Sequence, residues 1–68
     1  MSPRMEVVAL FVKAKKETLE TVSAATGIPV ELLERFFYGY KMSFSTEELG
    51  AIRNYLTDTI REEVAAEK

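Results

Sequence analysis

Charged and aromatic side chains gather in four kinds of cluster in this chain, and each kind suggests a different chemistry. Two carboxylate pairs, Glu47-Glu48 and Glu62-Glu63, are of the residue type that serves as general acid and base. Neighbours on a helix point about 100° apart, so neither pair converges on one substrate atom. Glu47 and Glu48 instead suit a helix start, where carboxylates meet the positive end of the dipole. Lys13, Lys15 and Lys16 form a basic knot that suits either phosphate or the negative end of a preceding helix. Glu31 and Arg35 stand one helical turn apart, a spacing at which they can pair with each other. The run Phe36-Phe37-Tyr38-Gly39-Tyr40, followed by Phe44, is the densest aromatic cluster. Its rings suit a core better than base stacking, because the sheet platform of many single-strand binders is missing.

What is absent narrows the chemistry further. The chain has no histidine and no cysteine, which removes the commonest metal ligand and general base, any thiolate site and any disulfide. No glycine-rich phosphate loop or nucleophile elbow occurs. The expectation is a non-enzyme with no cofactor, no metal and no small-molecule substrate. Sixty-eight residues, 47% of them apolar and 29% charged, make one globular domain over 1–68. A domain this small needs a compact helical core or a partner for stability. Nine basic residues against eleven acidic ones give a net charge of −2, so any basic face must be local. No apolar run reaches membrane-spanning length and the first residues show no signal-peptide pattern. A cytoplasmic setting away from membranes is therefore expected.

The elements that would carry these side chains are helical. Ser2-Pro3 reads as an N-cap with proline at the first helical position. The helix that follows has an apolar stripe of Val8, Phe11 and Val12, widened by Val7, Leu10 and Ala14, and should end near Lys15-Lys16. Thr18 caps a second helix running to about Thr26, with Leu19, Val22 and Ala25 inward. Gly27 breaks it, and Pro29 suits the first turn of a third helix carrying Leu32, Leu33 and Phe36 and stopping at Gly39. After a loop from Tyr40 to Phe44, Ser45-Thr46-Glu47-Glu48 forms a capping box. Leu49, Ile52, Leu56, Ile60 and Val64 then mark a long final helix, continuous to about Ala65 unless Thr57-Asp58 interrupts it. The fold expected is all-α, a compact four- or five-helix bundle with a long C-terminal helix.

The positions around Gly27 add a constraint on arrangement. Val22 and Ser23 lie five and four residues before it; Ile28 follows directly, with Leu33 and Phe36 six and nine after. A small residue, a glycine free to take positive φ and flanking inward apolar residues are what two steeply crossing helices on a tight turn require. The second helix of such a pair is the one that can enter a DNA groove.

The stretch TLETVSAATGIPVELLERFFYGYK, Thr18 to Lys41, resembles the second and third helices of the lambda Cro/repressor-like (XRE-type) helix-turn-helix family, with the loop after them. STEELGAIRNYL, Ser45 to Leu56, resembles its fourth helix, and Val8 with Phe11 would supply the first. The glycine spacing, the Gly27-Ile28-Pro29 start and the Gly39-x-Lys41 ending carry the likeness. The resemblance implies a sequence-specific double-stranded DNA-binding transcriptional regulator of small prokaryotic, phage or plasmid type, such as a repressor. Its recognition helix, Pro29 to Tyr38, would lie in the major groove. By position, Pro29, Val30, Glu31, Glu34 and Arg35 would read bases, Arg35 with a bidentate pair to guanine and a glutamate accepting from a cytosine amino group. Thr18, Tyr38, Tyr40, Lys41 and Ser43 would meet phosphates, with Lys15 and Lys16 beside them. Val12, Glu17, Leu19 and Phe37 depart from residues common in that family.

About five phosphate contacts bind weakly in a single copy, with a salt slope near −4 or −5. Specific binding thus implies a homodimer on two half-sites. The apolar residues Val7, Leu10, Ile60 and Val64 would either cover each other within one chain or meet across a two-fold axis. Phe37 cannot face the way Phe36 does, so it would pack under the Met42–Phe44 loop, against the C-terminal helix, or on a partner. The alternative function is a protein–protein interaction module that keeps the fold and binds another regulator or a polymerase subunit.

Overall fold

Ser2 and Pro3 open the first helix in the computed structural model, which describes residues 2–39 and 43–66. The Ser2 hydroxyl accepts from the Met5 amide at 3.2 Å, and α1 runs over Pro3–Lys13. It stops before the expected Lys15-Lys16. Ala14 is buried and its backbone leaves the helical region (φ −82°, ψ 79°), which frees the chain to turn back. Only four residues then separate Ala14 from Leu19, the next core side chain, so the turn has to be this abrupt.

α2 spans Leu19–Thr26 and α3 spans Val30–Phe37. Thr18 caps α2 as expected, in a box closed by Thr21: each hydroxyl accepts from the other's amide, at 3.3 and 2.9 Å. Leu19 and Val22 are buried, but Ala25 is exposed. Six residues past Leu19, Ala25 has rotated about 120° off the inward face. Ser45 and Glu48 form the expected capping box, with bonds of 3.0 and 3.1 Å. The helix they open, α4, runs unbroken over Thr46–Ala66, about 32 Å at the usual rise.

Two contacts fix how the long helix lies. Glu6 pairs with Arg53 at 3.5 Å, and the Lys16 amide donates to the Glu63 carboxylate at 3.2 Å. Both join residues 47 positions apart, so α1 and α4 run side by side in the same direction. α2 packs against both α3 and α4. The core between them is wholly apolar: Val7, Ala14, Leu19, Val22, Ile28, Leu33, Phe36, Phe44, Ile52 and Leu56. Over the described residues the protein is thus an all-α bundle of four helices with a long C-terminal one.

Within α1 the expected inward stripe is turned around. Val7 and Ala14, two turns apart, point to the core, whereas Val12 is 74% exposed. Val8, Leu10 and Phe11 are half-buried. α1 is apolar on nearly every side, so helical periodicity could not select one.

Candidate nucleic-acid interface

The turn between α2 and α3 is built from three residues. Gly27 takes φ +79°, a left-handed conformation that favours glycine, and its amide closes on the Ser23 carbonyl at 2.8 Å. The Thr26 hydroxyl donates to the Val22 carbonyl at 2.8 Å and accepts from the Ile28 amide at 3.3 Å. Ile28 can therefore be buried without orphaning its N–H. Pro29 is the N-cap of α3 rather than its first residue, and its carbonyl accepts from the Leu32 and Leu33 amides.

α3 is strongly two-sided. Leu33 and Phe36 are buried, while Glu31, Glu34, Arg35 and Tyr38 are exposed at positions i, i+3, i+4 and i+7. Four of the expected side chains thus share one outward face, with Pro29 exposed at its start. Val30 differs: it is half-buried and packs against the core, which leaves it only partly available. Among the described residues the one ion pair within 4.0 Å is Glu6–Arg53, so Glu31 and Arg35 are not paired and both present free charge outward.

All four phenylalanines of the chain are stacked in one series that holds α3 in place. Phe11 lies 4.6 Å from Phe37, Phe37 meets Phe36 edge-on at 5.1 Å, and Phe36 lies 4.8 Å from Phe44. Phe37 therefore packs on α1, because Phe11 offers a ring where α1 passes α3. Sequence reasoning missed Arg4. Its guanidinium donates to the Phe36 carbonyl at 2.9 Å and sits over the Phe36 ring, 5.1 Å from the centroid. It caps the last turn of α3 while adding a cation–π contact. Arg4 and Phe11 are seven residues apart, on one face of α1, and that spacing was the available signal.

The candidate phosphate contacts fare unequally. Lys15, Thr18, Tyr38 (65% exposed) and Ser43 lie at the surface. Tyr40 and Lys41 fall outside the described residues. Lys16 is exposed too, but it borders an open concavity of about 420 Å³ shared with Glu17, Asp58, Glu62 and Glu63. Carboxylates on that side oppose a phosphate. Among the described residues no group of acidic side chains is arranged to hold a metal ion.

Glu17 is the hub beside it. Its carboxylate accepts from the Thr21 hydroxyl at 2.6 Å and the Tyr55 phenol at 2.7 Å, tying the start of α2 to α4. The bond to Glu17, and then burial, raise the Tyr55 pKa above the usual phenol value.

The expected dimer surface is largely dismantled. Val7 is in the core, Leu10 and Ile60 are half-buried against it, and Phe37 is stacked on Phe11. Of that set only Val64 is well exposed, at 53%. Val7, Leu10 and Ile60 are thus covered by the core of a single chain. Among the described residues no helix is long and apolar enough to cross a membrane. Compared with protein-family models, curated proteins and solved structures, the chain matches none.

Proposed function

We propose that this protein is a double-stranded DNA-binding regulator of the lambda Cro/repressor-like type, with α3 as its recognition helix. The observation that carries the reading is the outward face of α3. Glu31, Glu34, Arg35 and Tyr38 project together from a helix whose opposite face is locked by Leu33 and Phe36 and whose end is clamped by Arg4. Arg35 supplies a guanidinium fork for guanine, and either glutamate accepts from a cytosine amino group. Lys15, Thr18, Tyr38, Lys41 and Ser43 are the phosphate-contact candidates that set docking, while Lys16 is set aside because of its acidic neighbours. With Lys13, Lys15, Arg35 and Lys41 as the cations, binding should show a salt slope of about −3 to −4 per copy.

A protein-binding module is the second reading, and one observation favours it. The outward charges of α3 sum to one positive against two negative, a balance that repels a phosphate backbone.

Selection from random duplex DNA, followed by titration at several salt concentrations, separates the two. Enrichment of a sequence, with Arg35→Ala relaxing preference at one base pair, supports the DNA reading. No enrichment and no salt-dependent binding even at about 50 mM salt would overturn it.

A further inference from the structure

The outer side of α1 is apolar where a surface helix should be polar. Met5 is 62% exposed, Val12 is among the most exposed apolar side chains, and exposed Ala9 lies between them. These three occupy i, i+4 and i+7, one stripe about 10 Å long on the side opposite the buried Val7 and Ala14. Half-buried Val8 borders it on one flank. On the other flank stand Glu6 and Lys13, both exposed, two turns apart and opposite in charge; the half-exposed Glu6 carboxylate also pairs with Arg53 of α4.

We infer that this stripe is the contact surface for a second copy of the same chain, with the two α1 helices antiparallel about a two-fold axis near Ala9. A two-fold of this kind brings like flanks of the two helices to the same side and reverses their direction. Glu6 of each copy then lies level with Lys13 of the other, giving two complementary pairs at the rim. Met5, Ala9 and Val12 of one copy interleave with their mates, and the small Ala9 lets the backbones approach. A parallel two-fold would instead set the Glu6–Lys13 flank of each copy against the Val8 flank of the other, where no complementary charge meets it. The charge pattern therefore suits a second copy laid antiparallel.

One helix face is less than the roughly 800 Å² per partner of a standard stable interface. The dimer is accordingly a weak, concentration-dependent one that a two-half-site ligand would reinforce. The inference deepens the two-copy part of the proposed function but does not need DNA, and it is tested without DNA.

Sedimentation equilibrium of the full chain up to about 1 mM should show a monomer–dimer equilibrium with a dissociation constant in the micromolar-to-millimolar range. Val12→Glu, on an exposed position, should abolish association and leave the helical circular dichroism unchanged. Lys13→Glu should weaken it by about tenfold, whereas Lys13→Arg, which keeps the charge, should leave it unchanged. Because the chain has no cysteine, single replacements report the register. Ala9→Cys should oxidise readily to a disulfide dimer. Met5→Cys should not, since its mate lies about eight residues, or 12 Å, along the axis, beyond disulfide reach. A strictly monomeric chain at 1 mM, association unaffected by Val12→Glu, or efficient cross-linking at Met5 rather than Ala9 would overturn the proposal. A monomer that still selects DNA would sink this inference alone; a dimer that ignores DNA would sink the DNA reading alone.

Discussion

α1 and α3 are short helices laid on one core, and their outer faces are opposites. α3 turns Glu31, Glu34 and Arg35 outward and buries Leu33 and Phe36. α1 turns Met5, Ala9 and Val12 outward and buries Val7. In α3 the division between inside and outside is written in polarity, so charge marks the face left for a ligand. In α1 both sides are apolar, and only packing decides which is covered. A surface helix with no polar side is an unfinished interface, whereas one with a charged side is complete as a folded element.

The largest effects should separate the inner faces from the outer ones. Phe36→Ala removes the ring that joins Phe37, Phe44 and Arg4, and should cost about 3–5 kcal/mol in urea unfolding. Val12→Ala, measured on dilute monomer, should change stability by less than about 0.5 kcal/mol. Equal losses from the two would end the contrast between a buried and an unpartnered face.

A middle-sized effect tests how α1 holds α3. Arg4→Met keeps the length of the side chain but loses both the bond to the Phe36 carbonyl and the cation–π contact. It should cost about 1–2 kcal/mol, and amide exchange should speed most in the last turn of α3. Faster exchange spread evenly over all four helices would show that Arg4 is not a local clamp.

The smallest effect lies away from both faces and serves as their control. Tyr55→Phe breaks the tie to Glu17 and should cost about 0.5–1 kcal/mol at neutral pH. Because the folded phenol has its pKa raised above 10.0, the tie stabilises fully while the phenol is protonated in both states. Its contribution is lost as pH climbs above 10.0 through the raised value, so parent and variant should converge there. A difference that persists or grows at alkaline pH would contradict the bond as described.

The sequence was most readable where residue type leaves few choices. Ser2-Pro3, Thr18, Gly27 and the Ser45/Glu48 box each set a helix boundary through a local bond or dihedral angle, and each stands where its type implied. Leu33 and Phe36 were readable because their neighbours are charged. α1 was not, since eight of its eleven residues, PRMEVVALFVK, are apolar or proline and no polar side opposes them. The Phe11–Phe37 stack, the Arg4 clamp and the Glu17 hub are long-range contacts, and no local pattern announces which distant backbone or ring a side chain will meet. The outward face of α3 could be placed from sequence, while the burial of Val7 and Val30 that trims the candidate surfaces needed the packed structure.

The parallel course of α1 and α4 has a consequence for how the chain reaches this state. Their shared contacts join residues 47 positions apart, with all of α2 and α3 in the intervening loop. Closing a loop of that length costs roughly 3.4 kcal/mol more than the length-independent part of the closure entropy. Capping and the glycine turn let α2 and α3 associate locally, which shortens the effective loop before the ends meet. Docking of α4 onto α1 is therefore the step expected last in folding, an order that faster refolding on shortening the α2–α3 segment would support. During synthesis α1 stays without its main packing partner until α4 has emerged, and its apolar surface is accessible to chaperones for that interval.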